Sequence, residues 1–178
     1  MCYADFYYFA EPTDESGQDW VALMEVEDSS GGYDFADTGT SSPNVNTLHA
    51  LDVTHAINYG SLSASSTTGA TNASSTIENL GNAAIDINLN GVDLSDGYSS
   101  TIPVIYQKYA TSTFNYDSCP TGCYNLSTTS VQLEVDLTKP TSLAPVTDAV
   151  YWGIRVPFGV SSAAHTGTNT FYAVDDSP

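Results

Sequence analysis

Val131-Gln-Leu-Glu-Val-Asp-Leu137 alternates strictly between apolar and polar residues, so Val131, Leu133, Val135 and Leu137 fall on one face of an extended chain and Gln132, Glu134 and Asp136 on the other. A strand with one dry face and one wet face reads this way. Ala84-Ile-Asp-Ile-Asn-Leu-Asn90 repeats the pattern with Ile85, Ile87 and Leu89 inside, and Asn90-Gly91 behind it supplies residues suited to a tight turn. Working outward, runs of β-branched and aromatic residues bounded by Gly, Pro, Asn or Asp fall at 3–9, 20–27, 47–53, 56–59, 75–78, 113–116, 150–156 and 170–174. No window sustains a helical apolar stripe. The spacing predicts an all-β chain, an antiparallel immunoglobulin-like (jelly-roll-like) β-sandwich. Its expected core is Ile85, Ile87, Leu89, Val131, Leu133, Val135, Leu137, Trp152, Ile154 and Phe171.

Residues 29–45, with Gly31, Gly32, Gly39 and Pro43 and few aliphatic residues, have the composition of a linker. They divide an N-terminal hairpin (1–28) from a sandwich domain (46–178). The hairpin is expected to pair 3–9 with 20–27 around Glu11-Pro-Thr-Asp-Glu-Ser-Gly17. A lone hairpin is marginal in water, so it is expected to pack in its own chain, to close a preceding domain of a longer polypeptide, or to pair with another subunit. Tyr3, Phe6, Tyr7, Tyr8 and Phe9 make its first strand apolar on nearly both faces, which suits an assembly strand donated to a neighbour. The Ser/Thr/Ala/Gly tract 61–75 has little to bury and reads as a surface connection.

At 178 residues the chain can bury a self-sufficient core. Lys and Arg number 3 against 21 Asp and Glu, a formal net charge of −18. A surface of that sign repels phosphate backbones and anionic membranes, which argues against nucleic acid and lipid partners. No apolar run approaches the roughly 18–20 residues of a membrane span, so no membrane insertion is expected. A Ser/Thr-rich, Lys-poor, acidic chain points to an extracellular or cell-surface location.

Cys119 and Cys123 flank the turn-forming Pro120-Thr121-Gly122. Their spacing is not that of a thioredoxin-like pair, and no second Cys or His pair has zinc-ligand spacing, so a structural disulfide is expected. Cys2 is then left over, an unpaired cysteine or one with an external partner. His49, His55 and His165 are the only histidines, and no Gly-x-Ser-x-Gly elbow accompanies them, so no catalytic residues and no enzyme activity are expected. No cofactor is called for. Ca²⁺ is the one ion the acidic turns suit, with Asp14, Glu15, Asp93 and Asp96 as candidate ligands, although no turn has the Asp-x-Asp-x-Asp-Gly pattern. Asn72 and Asn125 head glycosylation-type tripeptides. Tyr7, Tyr8, Trp20, Tyr98, Tyr106, Tyr109 and Trp152 are candidates for stacking on a glycan, with Trp20 and Trp152 in apolar runs that favour core positions.

Thr76-Ile-Glu-Asn-Leu-Gly-Asn-Ala-Ala-Ile-Asp-Ile-Asn-Leu-Asn-Gly91 resembles the Asn-x-Gly-Asn strand-turn-strand of microbial immunoglobulin-like surface modules. Ala50-Leu-Asp-Val53, Ile57-Asn-Tyr-Gly60, Ile102-Pro-Val104, Gln107-Lys-Tyr109, Tyr151-Trp-Gly-Ile154, Val156-Pro157 and Thr166-Gly-Thr-Asn-Thr-Phe171 extend the likeness over about 46–174. The chain looks most like a C-terminal module of large secreted surface proteins of uncultured microbes. A weaker likeness is to biofilm fibre proteins of the TasA and camelysin type, which assemble by donating an N-terminal strand. The resemblance implies a non-enzymatic structural module of a cell-surface layer or filament, self-associating or contacting neighbouring surface-protein domains. The alternative it leaves is an adhesion or glycan-binding module.

Overall fold

The computed structural model describes residues 5–13, 20–21, 23–37, 44–54 and 56–176. The described residues form twelve strands: β1 (Leu23–Glu27), β2 (Tyr33–Asp37), β3 (Leu51–Thr54), β4 (Ala73–Asn79), β5 (Ile85–Gly91), β6 (Leu94–Ser95), β7 (Thr101–Ile102), β8 (Gln107–Ala110), β9 (Tyr124–Asn125), β10 (Val131–Leu137), β11 (Val146–Ile154) and β12 (Asn169–Asp175). They build a three-stranded sheet in the order β10-β5-β12, a five-stranded sheet in the order β3-β4-β11-β8-β9, and two-stranded ribbons β1-β2 and β6-β7. Every pairing is antiparallel. The two larger sheets bury one core between them. Ile77, Tyr109, Val150 and Trp152 come from the five-stranded sheet, and Ile85, Ile87, Leu89, Leu133, Val135 and Leu137 from the other. The architecture is all-β and sandwich-like.

The alternation of β10 holds for Leu133, Val135 and Leu137, all buried. Val131 is 44% exposed, contrary to expectation, because it is the first residue of a strand that, among the described residues, lies at the edge of its sheet. Phe171 is half-buried and meets Trp152 edge-on, ring centroids 5.9 Å apart. Asn90-Gly91 is not a turn. It continues β5 opposite Thr170 and Asn169, and a Cβ on Gly91 would lie 2.5 Å from both Asn169 Oδ1 and Leu126 Cδ2. The glycine answers a close approach rather than a backbone reversal.

Three other expectations change. Residues 56–59 and 113–116 are not strands; the latter lead into a 3-10 turn at Tyr116–Ser118, and Gln107–Ala110 supplies the strand beside β11 instead. The tract 61–75 is pinned along the end of β11: Ser65 N–H donates to Val156 O, Thr68 N–H to Ile154 O, and Ile154 N–H to Thr68 Oγ1. Its last residues form β4 itself. Residues 5–9 are a turn-containing segment, not a strand, closed by Ala10 N–H donating to Tyr7 O. Their rings fold on one another and on Trp20, with Tyr7 stacked on Phe9 and Phe6 edge-on to Trp20. Trp20 itself is 36% exposed rather than core.

The N-terminal hairpin is therefore β1-β2: β1 falls within the expected strand 20–27, but its partner β2 comes from the stretch read as linker rather than from 3–9. Asp28 Oδ1 accepts from Ser30 and Gly32 N–H, and Gly31 takes a φ of +78°, so a local turn outcompetes the longer closure to 3–9. The segment before it touches the sandwich in its own chain: Glu11 pairs with Lys139, and Thr13 N–H donates to Val45 O.

Asn79-Leu80-Gly81-Asn82 joins β4 to β5 and has a mechanical reading. Asn79, fully buried, shares its amide hydrogens among Ala83, Leu137 and Thr138 carbonyls and accepts from Gly81 N–H. Asn82 clamps residues 46–48 by accepting from Leu48 N–H and donating to Asn46 O. A Cβ on Gly81 would stand 2.1 Å from Leu48 O. The motif ties both sheets and the lead-in to β3 together.

Candidate functional site

Cys119 and Cys123 form a disulfide, Cα atoms 5.8 Å apart. It caps a small cluster of Ala110, Phe114 and Tyr116, against which Cys123 packs. So short a loop has little unfolded-state entropy to lose, about 2 kcal/mol at most. Reduction is expected to lower the melting temperature by only a few degrees while NMR shifts stay within about 114–125; loss of the whole fold would contradict this. Cys2, Tyr3, Asp14, Glu15 and His55 lie outside the described residues. Asn72 is structurally engaged, its Oδ1 accepting from Phe114 N–H, whereas Asn125 is exposed on β9.

The other two candidate calcium ligands act as loop clasps. Asp93 Oδ1 accepts from Val104 N–H. Asp96 Oδ1 accepts from Tyr98 and Ser100 N–H, and its Oδ2 from the Ser161 hydroxyl. These donors hold the Asp96 carboxyl at about 2. Ser161 N–H also donates to Ser100 Oγ, His165 spans Ser100 Oγ and Ala163 O, and Ser95 and Thr166 exchange backbone bonds. Loops 95–100 and 161–166 are thereby locked together. Gly97 and Gly159, both at positive φ, turn the chain so that Tyr98 and Phe158 project outward, 94% and 92% exposed.

Beside these loops run two grooves of about 450 and 550 Å³ that share Tyr59, Leu94 and His165, making one trough. Val53, Ile57 and Phe171 line one half; Ile102, Ile154, Val156 and Val160 line the other. Gln107, at the start of β8, lies in its wall, 1% exposed. Its Oε1 accepts from Tyr59 Oη at 2.9 Å and from Asn169 Nδ2 at 3.2 Å, while Gln107 Nε2 and Asn169 Oδ1 have no partner among the described residues. Burial holds the Tyr59 phenol far above its ordinary range, so it stays a neutral donor. No Asp, Glu, Lys or Arg lines the trough among the described residues.

A second constellation lies at an irregularity of β10. Between Leu133 and Leu137 the register with β5 shifts, Asp136 adopts a φ of +48°, and Val135 and Asp136 N–H both donate to Asp86 Oδ1. Asp86 is fully buried, and one oxygen each of Asp86, Glu134, Asp136 and Asp176 lies within 4.8 Å of the others. Burial pushes Asp86 up, but the two N–H groups with Glu134 and Gln132 outweigh it and hold the carboxyl low. The hydrogen bond to Asp86 pushes Glu134 up, and burial followed by repulsion from Asp86 pushes Asp176 up.

The signs of these shifts oppose one another. Glu134 and Asp176 bind protons more readily folded than unfolded, so stability rises as pH falls through their folded values. Asp86 and Asp96 do the reverse: their contribution is complete above the ordinary carboxylate value and is lost as pH falls through their lowered folded values, about 2 for Asp96. The melting temperature is therefore expected to peak near about pH 4, helped by relief of the net negative charge. A monotonic fall from pH 7 to 4 would contradict this.

Comparison with protein-family models, with curated proteins and with solved structures finds no match. Sequence reasoning singled out Tyr98 for stacking but passed over Gln107 and Asn169, which line the trough, and Phe158, which like Tyr98 lies outside its lining. Pro157-Phe158-Gly159, an aromatic set between two turn residues, is the signal that could have exposed the last.

Proposed function

We propose that this chain is a non-enzymatic binding module of an extracellular or cell-surface protein, an adhesion module on a jelly-roll-like sandwich. The strand pairing supports the fold reading: β4 with β11, β5 with β10 and β8 with β9 are nested, as in one long hairpin rolled on itself. An immunoglobulin order would set β4 beside β10 and β5 beside β11. The Cys119–Cys123 disulfide supports an oxidising compartment.

The observation that carries the function is the uncharged trough together with two nearly fully exposed rings near it in the chain, Tyr98 on the loop that Asp96 and Ser161 lock and Phe158 three residues before Ser161. Exposed aromatics cost solvation, and rigid ones bind with little ordering entropy. A filament-forming structural module is the second reading, favoured by the exposed Phe6 and Tyr7 and by the place of β12 at the edge of its sheet among the described residues. Sedimentation over a wide concentration range distinguishes them. The binding module keeps one monomer mass, with or without residues 2–10; concentration-dependent polymers that vanish on that deletion would establish the filament.

A further inference from the structure

We propose that the trough and the two rings beside it bind a neutral oligosaccharide, an inference that rests on the binding-module reading and names its ligand. The first argument is charge. In a chain of 21 acidic residues, a trough of this size lined by none of them, and by no Lys or Arg, matches an uncharged ligand; the surrounding −18 charge repels anions.

The second argument is the buried amide pair. Gln107 and Asn169 make one bond to each other and leave one donor and one acceptor unmet. Turning both amides about exchanges which atoms are left over but not their number. Buried polar groups are rarely left so. Both unmet atoms are sealed from solvent in the unliganded chain, so a sugar hydroxyl, which donates and accepts, reaches them only if the wall gives way, and the serine and threonine side chains along the trough suit the remaining hydroxyls.

The third argument is the rings. The C–H face of a pyranose packs on an aromatic ring; Tyr98 offers its ring to solvent from a loop already fixed in place, and Phe158 offers its own three residues before the Ser161 clasp. The two halves of the trough meeting at Tyr59, Leu94 and His165 suit several linked sugars better than one.

The test is titration of the ¹⁵N-labelled protein with neutral oligosaccharides of the cellulose, xylan, mannan and chitin types. One type is expected to give saturable shifts in the side-chain amides of Gln107 and Asn169 and in the backbone of 96–100 and 158–165. Tyr98→Ala and Phe158→Ala, whose rings pack on almost nothing, should keep the wild-type melting temperature and each weaken binding about tenfold. Shifts confined to other surfaces, or unchanged affinity in both variants, would overturn the site. If no oligosaccharide binds while sedimentation still gives a monomer, the ligand class falls alone; if the protein also polymerises, the binding-module reading falls with it.

Discussion

Asn79→Ala lowers the stability of the sandwich by about 3 kcal/mol or more, out of proportion to the few atoms removed. The side chain gives its amide hydrogens to the carbonyls of Ala83, Leu137 and Thr138 and accepts from Gly81 N–H, all around a fully buried residue. Alanine takes one partner from each of those backbone groups, at about 1–3 kcal/mol for each left without another donor, acceptor or water. Because Leu137 ends β10, Thr138 follows it and Asn79 ends β4, the loss uncouples the two sheets at one corner. Urea unfolding should show the midpoint fall with the slope unchanged. Asn79→Asp keeps the acceptor for Gly81 but loses the donors, and is expected to be nearly as damaging. A loss below about 1 kcal/mol for the alanine variant would mean that water takes over the carbonyls.

Trp152→Ala costs about 3–5 kcal/mol through the cavity it leaves. Trp152 is fully buried in β11, tilted against Tyr109 at 5.6 Å and edge-on to Phe171, and its Nε1 donates to Ser75 Oγ at 2.9 Å. The Ser75 hydroxyl, itself 1% exposed, loses that donor as well. Trp152→Phe refills much of the space and separates the two contributions: the remaining deficit reports the hydrogen bond, about 1 kcal/mol. Since Phe171 lines the trough, the alanine variant should also broaden the NMR signals of β12; unaltered β12 signals would show that the core and the trough are mechanically independent.

The parts of the fold legible in the sequence are those where one face is wet and one dry. Leu133, Val135 and Leu137 advertise β10, and Ile85, Ile87 and Leu89 advertise β5, by period alone. Gln107–Ala110 escaped because it is the inner neighbour of β11, covered on nearly every side, so Gln107, Tyr109 and Ala110 are all buried and no alternation survives. The N-terminal pairing was misread for a different reason: two aromatic runs suggested each other as partners, while Asp28 and Gly31 decided the matter locally. The trough was illegible because its polar residues, Tyr59, Gln107, His165 and Asn169, converge only after the sheets close.

The nested pairing of the strands also governs how the chain can reach its native state. Ser75 and Trp152 are 77 positions apart, and β4 finds β11 only after everything between them has been looped out. Contacts of such sequence separation place a domain among the slow folders, in the millisecond-to-second range. On a ribosome, β4 and β5 emerge long before their partners. Their apolar faces must then wait uncovered, so the Ser- and Thr-rich stretch leading into β4 and the acids on β10 help to keep a half-made chain in solution until β11 arrives.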